Sequence, residues 1–231
     1  MSGYWADDRN LSLLMDFYEL TMANGYFLNR MHERRAVFEF FFRDIPDGGG
    51  FAIAAGLRQV IDAIGSLRFG AGEIEYLRSK RMFNESFLDW LSSILFQCDV
   101  RAVPEGTPVF PREPLLTVEG PLAQAQMVES LVLNFMNHQS LIATKANRIA
   151  RAAQGRAVME FGTRRAHGPD AAIYGARAAY IGGCAGTACT LTDAAMGVPA
   201  MGTMAHSWVQ AFSDELSAFK AYAEVYPDNC T

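Results

Sequence analysis

The chain has 231 residues, of which 50% are hydrophobic and 19% are charged, and its net charge is −5. This balance excludes intrinsic disorder and fibrous classes, and the acidic charge argues against general nucleic-acid binding. No apolar run approaches the ~18 residues of a membrane span, and the first residues lack the basic and apolar regions of a signal peptide. The sequence therefore predicts a cytoplasmic globular protein.

The cysteines do not have the spacing of a metal site or a disulfide framework. They are Cys98, Cys184, Cys189 and Cys230. Scattered cysteines of this kind are typical of reduced, buried thiols in an intracellular protein. No two histidines have the helical spacing of metal ligands, so we expect no dedicated zinc site.

The first half of the chain mixes helical and strand-forming segments. A helix is predicted over 11–27, because Asp16 and Glu19 have capping-box spacing and Asn24–Gly25 is a stop signal. The other predicted elements are strands over 36–42 and 51–55 around a turn at 47–50, helical structure with glycine breaks over 57–95, and a β meander over 98–119. These segments predict an α+β, sandwich-like domain over residues 1–120.

The sequence pattern changes at Pro121, where apolar residues at helical spacing predict a long helix to Gly155. Three strand–loop–helix units follow: strands near 157–161, 184–186 and 198–203, and helices over 169–180, up to 196 and over 206–226. Such units form a parallel sheet with right-handed crossovers. Since the common α/β barrel has eight strands, residues 121–231 are expected to form the first part of an incomplete TIM-like barrel, truncated or completed by another chain. The overall fold class is α/β.

Side chains at the carboxyl ends of these strands are the candidates for chemistry. Arg164 and Arg165 follow the first strand, and two adjacent guanidinium groups can bind carboxylate or phosphate. Phe161 offers a flat face to an aromatic ring. His206 begins a helix, where backbone N–H groups favour an anion beside the imidazole. Surface ion pairs for the arginines, and a packing role for the histidine, are the structural alternatives.

Four segments of the chain, in order, strongly resemble nicotinate phosphoribosyltransferase. They are LLMDFYELTMANGYF, FEFFFRDIPDGGGFAIAAGL, MEFGTRRAHGPDAAIYGARAAYIGG and PAMGTMAHSWVQAF. That family joins nicotinate to 5-phosphoribosyl 1-diphosphate (PRPP), giving nicotinate mononucleotide and diphosphate in NAD biosynthesis. ATP hydrolysis is coupled to the reaction through transient phosphorylation of a histidine. The resemblance therefore implies an enzyme that uses nicotinate, PRPP, ATP and Mg²⁺.

The resemblance also implies residue roles. His206, in GTMAHS, matches the phosphohistidine, and Thr203 matches a residue that contacts nicotinate. Phe161 would stack on the pyridine ring, and Tyr18 resembles a tyrosine that reaches into the neighbouring subunit of a homodimer. The two adjacent arginines, Arg164 and Arg165, would neutralise phosphates or the nicotinate carboxylate, and their individual assignments stay open.

One position bears on the choice between acid and amide substrates. In nicotinamide-using relatives an aspartate follows the Gly-Thr of the second strand, whereas here Ala188 follows Gly186–Thr187. Because an acid that could bind the amide is missing beside the arginines, the sequence favours nicotinate over nicotinamide.

The chain also departs from the family pattern. It reads GGCAGTACT where the family is closer to GGFDGTSN, and the family continues past YPDN. Nicotinamide phosphoribosyltransferase, quinolinate phosphoribosyltransferase and a non-catalytic split or remnant subunit are the alternatives.

Overall fold

The computed structural model describes residues 9–228 of the chain, which contain both helices and strands. The helices are α1 (Phe17–Leu28), α2 (Leu57–Gly65), α3 (Ala71–Ser79), α4 (Glu85–Ser92), α5 (Leu122–Gln126), α6 (Glu129–Ala152), α7 (Pro169–Ile181), α8 (Thr190–Met196), α9 (His206–Gln210) and α10 (Glu215–Val225). The strands are β1 (Arg35–Phe40), β2 (Ala52–Ile53), β3 (Asp99–Ala102), β4 (Pro108–Val109), β5 (Leu116–Pro121), β6 (Met159–Glu160) and β7 (Gly186–Thr187). None of these helices is both long and apolar enough to cross a bilayer.

An antiparallel sheet in the order β1–β5–β3 forms the frame of the first half. Phe38 of β1 lies opposite Val118 of β5, and β2 and β4 form a separate antiparallel pair. Burial alternates along β5, as expected for a strand with one face toward a core. The main hydrophobic cluster joins Phe40, Leu116 and Val118 to Leu131 and Met136 of α6. The predicted α+β layer is thus present.

The second half contains the predicted parallel strands. Met159 and Glu160 of β6 pair in parallel with Gly186 and Thr187 of β7, and a parallel bridge joins Thr187 to Ala200. The third predicted strand is reduced to that bridge. Helix α7 connects β6 to β7 and packs along α6. The main hydrophobic cluster crosses residue 120, because it also contains Ile173 and Tyr174, and the division of the chain there stays a prediction.

The predicted start of the first helix, at residue 11, is wrong. Helix α1 begins at Phe17, because Asp16 has an extended backbone (φ −69°, ψ 141°) and serves as its N-cap. The capping-box partner is in place: Glu19 accepts a hydrogen bond from the Asp16 backbone N–H at 3.3 Å.

Two long predicted helices are each divided. Pro121 is both the last residue of β5, paired with Arg35, and the N-cap of α5, so the helical segment opens where it was predicted to, but it breaks between α5 and α6. The segment 206–226 divides into α9 and α10, because Asp214 caps a new helix by accepting from the Ser217 N–H at 2.9 Å. Apolar periodicity continues through both breaks, which is why the sequence pattern concealed them.

Candidate functional site

The site is built where neighbouring parallel strands end. Glu160 lies opposite Thr187, and the Ala188 N–H donates to the Glu160 carbonyl at 2.9 Å. On the other side, the Met201 N–H donates to the Thr187 carbonyl at 2.8 Å. Because these strands run in the same direction, the loops that begin at Phe161, Ala188 and Met201 leave the sheet at one edge.

The loop after β6 presents an aromatic ring followed by two positive charges. Phe161 is 46% exposed, and Thr163–Arg165 form one turn of 3-10 helix. Within residues 9–228, neither Arg164 nor Arg165 has an ion-pair partner. By contrast, Arg148 of α6 pairs with Asp47 at 3.1 Å. The two loop guanidinium groups are therefore available to an anion.

The loop after Ala200 carries the predicted histidine. Thr203 and His206 are both exposed, and His206 is the first residue of α9, as predicted. The Trp208 indole N–H donates to the Ala218 carbonyl at 3.0 Å, which ties α9 to α10. His206 thus stands at a helix start, open to solvent.

A cavity of about 650 Å³ lies between α6, α7 and the segment from Arg9 to Leu14. Arg165 lines it, as do Glu160 and Gly162. The other predicted site residues lie outside its described wall. The two adjacent arginines therefore differ in their surroundings, since Arg165 lines this cavity and Arg164 does not.

Tyr18 lies on α1, where its side chain is 42% exposed and hydrogen-bonds to Glu129 at the start of α6. Desolvation and this carboxylate raise the pKa of Tyr18 to about 12. Phe17 and Met22, on the same helix, are also exposed. This helix therefore carries Tyr18 on a partly apolar surface.

Two family models match consecutive parts of the chain. The nicotinate phosphoribosyltransferase N-terminal domain matches residues 13–137, which is more than half of the chain, and the quinolinate phosphoribosyl transferase C-terminal domain matches residues 142–230. The chain belongs to the nicotinate phosphoribosyltransferase family.

Individual relatives agree with this membership. A nicotinate phosphoribosyltransferase of Mycobacterium tuberculosis is 47% identical over 94% of this chain, and one of Bacillus subtilis is 42% identical over 99% of it; each alignment covers 46% of the relative. The crystal structure of human nicotinic acid phosphoribosyltransferase is 38% identical with a TM-score of 0.78, over 86% of this chain and 40% of that one. Nicotinate-nucleotide pyrophosphorylase from Pyrococcus furiosus is 27% identical with a TM-score of 0.76, over 97% of this chain and 51% of that one. The chain spans about half the length of these proteins.

Sequence reasoning missed two polar residues at the edge of this family's sheet. The Thr187 hydroxyl donates to Glu160 Oε2 at 2.6 Å, and Thr187 is fully buried. Both residues belong to strands and precede the loops, so the local sequence assigns them no role in a site. Only the pairing register, which places Glu160 opposite Thr187, brings the two side chains together.

The described residues contain no group of three or more histidine, cysteine, aspartate or glutamate side chains arranged to hold a metal ion. Cys98, Cys184 and Cys189 are free thiols, while Cys230 lies outside the described residues.

Proposed function

We propose that this chain supplies the nicotinate-binding part of a nicotinate phosphoribosyltransferase. The reaction joins nicotinate to PRPP, with coupled ATP hydrolysis, and serves NAD biosynthesis in the cytoplasm. The observation that carries the proposal is the shared strand-end edge, from which the loops bearing Phe161, the unpaired arginines and His206 all leave. Family membership supports the same chemistry.

The proposed reaction requires the protein to position the two substrates and to neutralise their negative charges. The pyridine nitrogen of nicotinate attacks the anomeric carbon of PRPP, and the bond to diphosphate breaks. Since this nitrogen already has a free electron pair, no protein base is needed. Phe161 stacks on the ring, Thr203 contacts it, and Arg164 and Arg165 neutralise the carboxylate and the phosphates.

His206 is the proposed phosphate acceptor from ATP. Its exposure leaves the imidazole open to attack on the terminal phosphate, and its place at a helix start favours the negative charge that results. PRPP phosphates are the expected partners of Mg²⁺, which commonly binds through substrate phosphates. The proposal gives Mg²⁺ no ligand from this chain.

Ala188 is proposed to determine whether the site accepts nicotinate, an acid, or nicotinamide, an amide. Its backbone N–H is held by the Glu160 carbonyl, and its short side chain is exposed at the edge beside Phe161. A methyl group cannot accept a hydrogen bond from a carboxamide. The position therefore favours nicotinate, and the nicotinamide-using alternative would need another acceptor.

A product assay tests the proposal. The chain is incubated with nicotinate, PRPP, Mg²⁺ and ATP, and nicotinate mononucleotide is followed by chromatography. We expect product from the unaltered chain, loss of ATP-coupled turnover in His206→Ala, and increased use of nicotinamide in Ala188→Asp. Absence of product from a folded chain would contradict independent activity and favour the non-catalytic subunit. Full ATP coupling in His206→Ala would contradict the role of His206.

Tyr18 is proposed to complete the site of a second copy in a homodimer, which its exposed position on α1 supports. Tyr18→Ala and Phe161→Ala should each lose most activity alone. If the two residues act in one site across the interface, mixed dimers contain one intact site, and mixing equal amounts should restore roughly a quarter of the activity. Additive residual activities without restoration would place both residues in the site of one subunit.

A further inference from the structure

A continuous set of hydrogen bonds joins the loops after β6 and β7. The Glu160 side chain accepts from the Gly162 N–H through Oε1 and from the Thr187 hydroxyl through Oε2, the latter at 2.6 Å. The Thr187 oxygen in turn accepts from the Cys189 N–H at 2.9 Å. One carboxylate and one hydroxyl thus fix a backbone amide in each loop.

The surroundings leave this arrangement little freedom. Thr187 is 0% exposed, and its hydroxyl uses its proton for Glu160 and accepts from Cys189. A Cβ at Gly162 would lie 2.6 Å from Glu160 Oε1, so a side chain there would displace this carboxylate from its present position. A carboxylate acceptor makes stronger hydrogen bonds than a neutral acceptor does.

The residues on either side of these amides are the ones with proposed roles. Phe161 lies between Glu160 and Gly162, and Ala188 lies between Thr187 and Cys189. Phe161 itself is 46% exposed and makes no aromatic contact among the described residues. The hydrogen bonds made by its two neighbours, Glu160 and Gly162, restrain its backbone.

We propose that Glu160 and Thr187 are positioning residues that hold Phe161 and Ala188 in one fixed relation, at the spacing that a pyridine carboxylate requires. Neither needs to touch the substrate. The inference rests on the proposed function, because it assigns the ring-binding role to Phe161 and the specificity role to Ala188. Small displacements of a group that holds the substrate reduce reaction rates strongly, so residues that fix the position of such a group matter for catalysis.

The first test separates the hydroxyl from the shape of the side chain. Thr187→Val keeps the shape and removes the hydroxyl, whereas Thr187→Ser keeps the hydroxyl. Loss of a hydrogen bond to a charged group corresponds to about a tenfold effect. We expect Thr187→Val to raise the KM for nicotinate about tenfold with little change in the KM for PRPP, and Thr187→Ser to restore it. Equal increases in both KM values would indicate general damage and overturn the inference.

The second test does not depend on activity. Amide hydrogen exchange is measured by NMR at Gly162 and Cys189 in the full chain. Thr187→Val should accelerate exchange at both amides, Thr187→Ser should preserve both, and Thr163→Val, which removes an exposed hydroxyl from the same loop, should change neither. Acceleration at Cys189 alone would show that the loops are not coupled and would overturn the inference.

The two tests distinguish failure of the inference from failure of the proposed function. If the unaltered chain makes no nicotinate mononucleotide but exchange at both amides accelerates in Thr187→Val, the hydrogen bonds of Glu160 and Thr187 do hold the two loops together. The inference about these residues then stands, and the enzymatic role of this chain fails. If the chain is active while Thr187→Val changes neither the KM for nicotinate nor amide exchange, the inference fails and the function stands.

Discussion

Single carboxylates in this protein behave differently according to their partners. Glu19 is fully buried and accepts from the Ser130 N–H at 3.1 Å, yet desolvation outweighs this contact and raises the pKa of Glu19. Burial also opposes ionisation of Glu105, but the hydrogen bonds and charge of Arg177, at 2.6 and 2.9 Å, hold the pKa of Glu105 below its ordinary value. The guanidinium partner of Glu105, which Glu19 lacks among the described residues, thus reverses the direction of the pKa shift.

These shifts predict opposite effects of pH on stability. Ionised Glu105 stabilises the folded state at pH values above its unfolded pKa, near 4.5, and this stabilisation is lost as pH falls through the lower pKa of the folded state. Protonated Glu19 stabilises the folded state below pH 4.5, and this stabilisation is lost as pH rises through the raised pKa of the folded state. Glu105→Gln should therefore reduce the unfolding free energy by about 3 kcal/mol at pH 7, and by less in acid.

Urea denaturation at several pH values measures this difference. Glu19→Gln is the matched comparison, because it removes a carboxylate whose pKa moves the other way. Relative to the unaltered chain, it should gain stability as pH rises above 4.5. Parallel curves for the two variants would show that the surroundings of these carboxylates are not as described.

At the scale of elements, α6 and α7 approach each other closely at the end of α7. Gly182 caps the end of α7, and a Cβ there would collide with the Ala143 carbonyl oxygen and lie 2.8 Å from the Ala146 Cβ. Asn147 also donates to the Gly182 carbonyl at 3.2 Å. The two helix backbones are in contact at this point, so neither can relax easily.

Gly182→Ala should destabilise the protein by about 2 kcal/mol, because the added methyl group forces the helices apart. Gly175→Ala is the control on the same helix. Its added Cβ would make ordinary contact with His138 Nε2 at 3.8 Å, so it should be neutral or stabilising. Thermal unfolding followed by circular dichroism compares them. Equal midpoints for the two variants would contradict the tight contact at Gly182.

Much of this arrangement of elements was predictable from sequence, for a physical reason. Glycine and proline signals located the turn before β2 and the start of α7 at Pro169, because they act through local backbone restrictions. Breaks without such signals were missed, as at Met127–Val128, where apolar periodicity runs on. Strand-end position and family resemblance identified candidate loop residues, while Glu160 and Thr187 needed the pairing register, which no local pattern contains.

At the scale of the whole molecule, stability is unevenly distributed. The cluster around α1, α3, α4 and α5 buries large side chains such as Phe87 and Leu91 completely. Helix α10 buries only Ala218, while Leu216 and Val225 are each 61% exposed. Segments with few buried apolar side chains open at lower free energy than the core. His206 and Thr203 precede this weakly buried helix, so the proposed phosphate acceptor lies in the less stable part.

Tryptophan fluorescence can resolve this difference. Trp90 packs against Phe27 and Phe87 in the first cluster, and Trp208 packs against Phe212 and Tyr222 at α9 and α10. In variants that keep one of these tryptophans, with Trp5 replaced by Phe in both, Trp208 should report unfolding at lower urea than Trp90. Coincident transitions would show instead that α9 and α10 unfold with the core.

The same probes test whether substrate binding orders the histidine loop. A ligand that binds only the ordered form shifts the transition of that region by mass action. Addition of PRPP should therefore raise the urea midpoint at Trp208 more than at Trp90, and His206→Ala should leave the Trp90 midpoint in place because His206 is exposed and outside the cores. An equal shift at both tryptophans would mean that PRPP stabilises the molecule as one unit, and that the edge bearing His206 is already as rigid as the sheet beneath it.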